Sequence, residues 1–259
     1  MSAQIFYFSG TGNCLFVAKN LASCLDGQYL NISKCVREKE IILQADVIGF
    51  VFPVYAYTYP KILDDFCKKI KIISNPKYVF IVTTYGSTPG RAAEKFAKRI
   101  KSLFKVNYIN GILMPENYIA IFNPDKDSAV SQKINNALLA IEKISADIKN
   151  QVQYLEKHNS PLDYIKTGLV SPLFNFFLLF SHIFFSADKN CNGCDICVRV
   201  CPTNNIEKIN NKPKWRNNCI QCMACINWCP QKSINYTPMT KKRPRYTNPH
   251  IDLKELYKE

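Results

Sequence analysis

The sequence predicts an α/β chain in two parts: a doubly wound parallel sheet, followed by a small α+β unit built around cysteines. Short apolar runs alternate with helical spacing over residues 1–157, as expected for strands buried on both faces of a parallel sheet. Eight cysteines then occur between Cys191 and Cys229 in two runs of identical spacing. At 259 residues the chain is too long for a cysteine-rich module by itself, so the part before Cys191 requires a core of its own.

The first predicted strand is the apolar run Gln4–Phe8, and it leads into a loop with two glycines, Ser9–Cys14. Apolar residues at helical spacing follow as far as Leu25. A strand, a glycine loop and the N-terminus of a helix together offer backbone N–H groups to an anion. The loop has no lysine and no third glycine, so it matches neither the P-loop nor the dinucleotide fingerprint. A plain strand-to-helix turn is the alternative.

Further strands are predicted at Val47–Val54, Tyr78–Thr84 and Val106–Met114, with a helical stretch over Ile62–Ile73. In a doubly wound sheet the loops after these strands converge beside the glycine loop, at the carboxyl edge where ligands bind. The loops 53–60 and 84–90 carry tyrosines, so one loop could hold a phosphate while two others flank a flat ring.

Two helical segments are predicted next. Apolar residues recur every three or four positions over Asp127–Leu155, which indicates a long helix that closes the sheet. Residues 169–185 are the most apolar stretch of the chain, but they include Pro172 and His182 and are too short to span a bilayer. We interpret them as a helical linker packed against both units, with peripheral membrane contact as the alternative.

Each cysteine run reads C-x2-C-x2-C-x3-C-P, and the second repeats the first 28 residues later. This is the spacing of [4Fe-4S] ligands, because three closely spaced thiolates can each reach a different iron of one cube. The cysteine before the proline serves the other cube in two-cluster ferredoxins. The predicted ligands are therefore Cys191, Cys194, Cys197 and Cys229 for the first cluster, and Cys219, Cys222, Cys225 and Cys201 for the second. Zinc would leave cysteines of each run unused, and a disulfide framework would need export.

Between the two cysteine runs, Ile206–Trp215 with Asn210 and Asn211 at its centre predicts a hairpin. The predicted organisation is a sheet domain over residues 1–157, an apolar helical linker over 158–187, a cluster-binding domain over 188–238 and a basic tail over 239–259. The tail is expected either to wrap back onto the body or to dock an acidic partner.

The order of these motifs resembles the family of flavodoxin–ferredoxin fusions, in which a flavodoxin-like domain precedes a bacterial-type ferredoxin domain. Ser9–Asn13 is similar to the flavodoxin phosphate loop, which binds the phosphate of FMN. The resemblance implies that FMN lies between this loop and the two tyrosine-bearing loops. The residues implied are Ser9, Gly10, Thr11, Gly12, Asn13, Cys14, Pro53, Val54, Tyr55, Tyr57, Thr84, Tyr85, Gly86 and Gly90. Cys14 departs from the family pattern, which has a hydroxyl residue there.

The expected function is electron transfer between two [4Fe-4S] clusters and FMN, because cubes move single electrons whereas a flavin handles one or two. The alternatives are a ferredoxin-type carrier whose first domain lacks flavin, and a flavin-dependent reductase with Tyr85 or Glu116 as proton donor. We expect a carrier rather than a substrate-turning enzyme, and assign no catalytic residue.

The chain has a net charge of +14, spread over both units. The charge favours an acidic redox partner, and no aromatic-interleaved basic stripe indicates nucleic acid. We expect a cytoplasmic protein without a transmembrane span, in an anaerobic setting because exposed cubes are oxygen-sensitive.

Overall fold

A computed structural model describes residues 2–257, and its centre is a six-stranded parallel sheet. The strands are β1 (Ala3–Tyr7), β2 (Gln28–Asn31), β3 (Val47–Pro53), β4 (Tyr78–Tyr85), β5 (Tyr108–Leu113) and β6 (Tyr154–Leu155). They lie in the order β2-β1-β3-β4-β5-β6, and every neighbouring pair is parallel. The first five strands have the flavodoxin-like 2-1-3-4-5 order, so the predicted fold class is confirmed for this unit.

Helices cover both faces of the sheet. They are α1 (Asn13–Cys24), α2 (Ile62–Cys67), α3 (Ala92–Ile100) and α4 (Asp127–Lys149), with a short helical turn at Ile32–Cys35. One hydrophobic cluster joins α1 and α4 to the sheet, and a second joins α2 and α3 to its other face. All seven residues of β3 are buried, which explains the unbroken apolar runs in the sequence.

Two predicted helices end earlier than the spacing suggested. The prediction over Ile62–Ile73 is wrong beyond Cys67, because Ile70–Ile72 is a strand that pairs in parallel with Ile41–Leu43. The long helix ends at Lys149 rather than Leu155, and Gln151 has a left-handed backbone with a φ of 53°. The chain turns there, and Tyr154–Leu155 becomes the edge strand β6 beside β5. The spacing of apolar residues along the sequence did not indicate that the chain turns after Cys67 and after Lys149.

The apolar linker is a series of short helical segments. These are α5 (Pro161–Ile165), a π-helical turn (Lys166–Val170), α6 (Ser171–Leu178) and a 3₁₀ turn (Ser181–Phe184). Ser171 Oγ donates to Ala56 O at 2.8 Å, while buried Ser181 lies beside Cys219. The linker therefore contacts both units, as predicted, but many of its apolar side chains are exposed.

The second unit is a small α+β structure. Strand β7 (Phe185–Ala187) pairs with β10 (Ile234–Tyr236), and β8 (Ile206–Ile209) forms a hairpin with β9 (Lys212–Trp215). Asn210 and Asn211 both have positive φ, as the tight hairpin turn requires, so the predicted hairpin is confirmed. Short helices α7 (Ile196–Val200) and α8 (Ala224–Asn227) follow the two cysteine loops. Strand β7 lies in the stretch that we had assigned to the linker.

The C-terminal segment folds back across the first unit. Asn248 N donates to Thr11 O at 2.8 Å, and Ile251 and Leu256 join the hydrophobic cluster around α1. Lys19 forms an ion pair with Glu255 at 2.6 Å. Of the two expected arrangements of the tail, the structure therefore has the one that wraps back. No helix within residues 2–257 is sufficiently long and apolar to cross a bilayer.

Candidate cofactor sites

A cavity of about 340 Å³ lies at the carboxyl ends of β3, β4 and β5. Its volume is in the range of small-molecule sites. Eight of the residues assigned to FMN border it: Asn13, Pro53, Val54, Tyr55, Tyr57, Thr84, Tyr85 and Gly86. The loops after β3 and β4 thus meet at the same sheet edge, as their positions predicted.

Tyr55 and Tyr85 are neutral phenols at the cavity wall. Burial raises the pKa of Tyr55 well above its ordinary value, and the nearby thiols of Cys222 and Cys14 raise it further. The pKa of Tyr85 is raised by burial and then by the charge of Glu156. A wall of neutral aromatic side chains suits a flat ring that carries polar edges.

Sequence reasoning missed much of the opposite wall. The π-helical turn contributes Val170, the α6 helix contributes Leu173, Phe174 and Phe177, and the segment after β5 contributes Ile121 and Phe122. The sequence signal was the unusual apolar density of residues 169–185, which we attributed to packing between units. The structure shows that part of this stretch covers the cavity.

The glycine loop presents unpaired donors at the start of α1. Gly12 N donates to Ser9 Oγ at 3.1 Å, and α1 has no side-chain cap. Among residues 2–257, no acceptor lies against the backbone N–H groups of Asn13, Cys14 and Leu15. Buried, unpaired N–H groups at a helix N-terminus form an anion cradle. Asn13 belongs both to this cradle and to the cavity wall.

The rest of the loop lies beneath the C-terminal segment and the second cysteine run. Asn13 Oδ1 accepts from Tyr246 Oη at 2.7 Å and from Asn248 Nδ2 at 3.1 Å, and Thr11 Oγ1 accepts from Asn117 Nδ2 at 2.6 Å. A Cβ added at Gly10 would lie 2.3 Å from Cys222 O. The residues Ser9, Gly10, Thr11, Gly12 and Cys14 are therefore not part of the cavity lining.

Two of the assigned residues support loops instead of facing the cavity. Cys14 Sγ lies 3.0 Å from Thr84 Oγ1, and burial raises its pKa to about 12, so the thiol is neutral and ties the glycine loop to β4. Gly90 has a φ of 51°, and a Cβ there would approach Tyr57 Cβ to 2.9 Å. Its lack of a side chain lets the loop after β4 pack beneath Tyr57.

The first set of four cysteines surrounds a surface pocket. Cys191, Cys194, Cys197 and Cys229 all line it. Cys197 interacts electrostatically with the other three, and burial raises its pKa to about 12. Cys194 is exposed to solvent. The structure therefore brings together the four residues that the spacing assigned to the first cluster.

The second set lies where the two units meet, with Cys201 and Cys225 buried and Cys219 and Cys222 partly buried. Cys225 interacts electrostatically with Cys222, Cys219 and Cys201, and burial raises its pKa. Two backbone amides point at the sulfurs: Asn205 N lies 3.2 Å from Cys201 Sγ, and Gln221 N lies 3.4 Å from Cys219 Sγ. Amides aimed at sulfur stabilise thiolate ligands and tune a cluster.

Both thiol sets fit iron–sulfur cubes. Asp195 and Met223, which follow the second cysteine of each run, share a left-handed backbone and begin equivalent short helices. Within residues 2–257, no three histidine, cysteine or carboxylate side chains converge closely enough to bind a single metal ion. In a cube each thiolate binds a separate iron, so the ligands surround a volume.

The second cysteine run borders the cavity. Tyr118 lines the cavity and its hydroxyl bonds Gln221 Oε1, while Gln221 Nε2 donates to Tyr236 Oη at 2.9 Å. Trp228 Nε1 donates to Gly10 O at 3.1 Å. Cys222 lies against Gly10, and it is near enough to Tyr55 to raise the pKa of that phenol. A few side chains therefore separate the second thiol set from the cavity.

Residues 190–234 match the 4Fe-4S dicluster domain family. The matched segment contains all eight cysteines of the two runs. Together with the flavodoxin-like sheet order, it shows that the chain joins a flavodoxin-like fold to a ferredoxin-type 4Fe-4S domain. This combination has the features of an iron–sulfur flavoprotein with a redox role.

Several solved structures are similar to part of the chain. A flavodoxin from the domain Archaea is 14% identical, with 56% of this chain and 99% of that one covered and a TM-score of 0.35. A flavodoxin, WrbA-like protein from Agrobacterium tumefaciens is 15% identical, with coverages of 58% and 98% and a TM-score of 0.37. Because both the sequence identities and the TM-scores are low, these similarities add nothing to what the strand order shows. A comparison with curated proteins finds no match.

Proposed function

We propose that this protein transfers electrons between a redox partner and FMN through two [4Fe-4S] clusters. Cys191, Cys194, Cys197 and Cys229 would hold the first cluster, and Cys201, Cys219, Cys222 and Cys225 the second. The observation that carries the proposal is the packing of Cys222 against Gly10 and its closeness to Tyr55, whose pKa it raises, which makes the two cofactor sites neighbours.

Two groups of residues fit FMN: the amide cradle at the start of α1, which adjoins the cavity through Asn13, and the aromatic wall of the cavity itself. The unpaired N–H groups of Asn13, Cys14 and Leu15 suit its phosphate. The aromatic side chains of Tyr55 and Tyr57 and the loop after β4 suit its ring. A bound flavin would supply one- or two-electron chemistry, whereas the clusters move single electrons. The protein's part is to hold these groups close together and to keep water from the second thiol set.

The two thiol sets have different tasks in this proposal. The exposed Cys194 places the first set where a partner can approach it, and the second set borders the cavity through Gln221 and Cys222. Basic residues give the last part of the chain a surplus of positive charge. An acidic partner is expected to dock beside the first set, since opposite charge accelerates encounter.

Cofactor content tests the proposal. Protein reconstituted anaerobically with iron, sulfide and FMN should contain about eight irons and about eight sulfides per chain, together with one FMN. The Tyr57→Ala variant should lose flavin affinity and keep its iron. Full iron content without flavin would favour a ferredoxin-type carrier instead. Zinc, or disulfides between these cysteines, would contradict the proposal.

A flavin-dependent reductase is the second candidate. The observation that favours it is Tyr85, a neutral phenol that lines the cavity and lies beside the half-buried Glu156, whose pKa is raised by burial. Such a pair could supply a proton to a reduced substrate. Turnover of quinones or nitroaromatics that falls in a Tyr85→Phe variant would support a reductase. Rapid electron exchange with protein partners, without such turnover, would support the carrier.

A further inference from the structure

The linker exposes a continuous series of large apolar side chains, which we call the apolar ridge. They are Leu169, Val170, Leu173, Phe176, Phe177, Leu179, Phe180, Ile183 and Phe184, with exposed fractions from 38% to 67%. Ile121 and Phe122, exposed by 61% and 52%, line the same cavity as the helical part of the ridge. Apolar patches of this extent on soluble proteins mark interaction sites.

The border of the apolar ridge is basic. No acidic residue occurs between Asp163 and Asp188. Lys212 and Lys214 share a surface groove with Ile183. The turn Pro238–Lys242 is attached beside Phe184, since Thr237 N donates to Phe184 O at 3.2 Å and the rings of Phe184 and Tyr236 are 5.6 Å apart. That turn exposes Met239 and two further lysines, Lys241 and Lys242.

We propose that the apolar ridge docks on the surface of an anionic lipid bilayer. The phenylalanines and leucines would enter the boundary between headgroups and acyl chains, while the lysines at the border would meet anionic headgroups. The helix α6 has eight residues, so the ridge lies in the interface and does not span it. We favour an anionic lipid surface as the partner of the apolar ridge, because the positive charge at its border matches the negative charge of such a bilayer.

Docking would orient the cavity toward the lipid. Val170, Leu173, Phe177, Ile121 and Phe122 line the cavity and are also exposed. The mouth of the cavity therefore opens on the docking face. The exposed Cys194 belongs to a different pocket, whose lining shares no residue with the cavity.

Vesicle flotation with the cofactor-loaded protein tests the proposal. The protein should float with phosphatidylcholine–phosphatidylglycerol vesicles and remain unbound with phosphatidylcholine alone. Binding to the mixed vesicles should weaken as salt is added. The variant Lys241→Gln/Lys242→Gln should bind about 25-fold more weakly, or about fivefold for each lysine. Its matched control is Lys101→Gln/Lys105→Gln, two exposed lysines of the first unit, which should bind as the wild type does.

The apolar contribution is tested separately. Phe176→Ser/Ile183→Ser should reduce vesicle binding at least about tenfold. The matched control is Ile73→Ser, which changes a 60% exposed apolar residue of the first unit and should leave vesicle binding unchanged. Cofactor content and melting temperature should be unchanged in all four variants. Equal binding to neutral and anionic vesicles, or no binding to either, would overturn the proposal. So would a dimer in sedimentation equilibrium without lipid that Phe176→Ser/Ile183→Ser abolishes, because the ridge would then be a contact between two copies.

Discussion

The two cysteine runs have the same spacing and different surroundings. In both, a residue with left-handed backbone follows the second cysteine, Asp195 in one and Met223 in the other. The first run borders a pocket open to solvent and leaves Cys194 exposed. In the second set, Cys201 and Cys225 are 7% and 8% exposed, and the loop is packed on the first unit. Two ligand loops with the same cysteine spacing therefore lie in two different environments.

The spacing of the cysteines determines which thiols form a set, whereas packing determines how accessible that set is and with what it can exchange electrons. A cluster's potential and its accessibility depend on burial, on hydrogen bonds to sulfur and on solvent. The first set is suited to exchange electrons with a partner. The second set is suited to pass them across the contact between units.

The largest effect should come from removing one ligand of each set. Cys194→Ser and Cys225→Ser should each lower the iron content from about eight to about four per chain. Cys225→Ser should also destabilise the contact between units by about 2 kcal/mol more than Cys194→Ser, which corresponds to a further drop of about 4–8 °C in melting temperature. Iron analysis and calorimetry measure both. Equal melting temperatures would show that the two environments do not differ in stability.

Chelation kinetics should separate the clusters in the wild-type protein. An iron chelator under mild oxidation should remove the first cluster roughly tenfold faster than the second, because the buried set requires local opening of the contact. The Cys194→Ser and Cys225→Ser proteins each retain one cluster, and their spectra identify the two phases. A single phase for both clusters would contradict the difference in burial.

The contact itself is tested by Gly10→Ala. The added methyl group would lie 2.3 Å from Cys222 O, so we expect a loss of about 1–3 kcal/mol in the free energy of unfolding. The variant should also disturb the spectrum of the second cluster and leave that of the first unchanged. Gly168→Ala is the matched control, since no atom lies within 4 Å of the added carbon. If both variants are equally stable, the loop does not pack on Gly10 in solution.

The smallest effect is expected for Tyr118→Phe. The change removes the hydrogen bond to Gln221 Oε1 and leaves a buried oxygen without that donor, at a cost of about 1 kcal/mol. Potentiometric titration should show a shifted potential for the second cluster alone. Tyr236→Phe provides a comparison, since it removes the other hydrogen bond of Gln221. A shift in the first cluster would show that the hydrogen-bond chain does not act locally.

Much of the fold could be predicted because its signals are local. Unbroken apolar runs identified the central strands, and Asn210–Asn211 identified the hairpin. The continuation of helical spacing beyond Cys67 and Lys149 misled us, since spacing carries no information about where the chain turns. The short strand Ile70–Ile72 and the edge strand β6 exist only through their pairing with distant segments.

The candidate site was predicted in part for the same reason. The positions of the loops after β3 and β4 could be inferred from the order of the strands. Tyr55 and Tyr85 were therefore correctly predicted to lie at the same edge of the sheet. The contribution of α6 was missed, as was the burial of Gly10 under Cys222, because both depend on how the second unit sits on the first. Cys14 is expected beside a phosphate through its N–H group, and its thiol contacts Thr84, which the sequence did not indicate.

The amino-acid sequence alone was enough to predict one parallel-sheet unit followed by one cysteine-rich unit. It was also enough to predict the duplicated thiol loops and the position of the glycine loop. These features depend on residue type and spacing along a few turns of chain. The tertiary structure decided which thiol set is buried, what covers the cavity and where the tail lies. These depend on contacts between residues far apart in the chain, such as Trp228 with Gly10 and Asn248 with Thr11, whose geometry arises when the two units pack together.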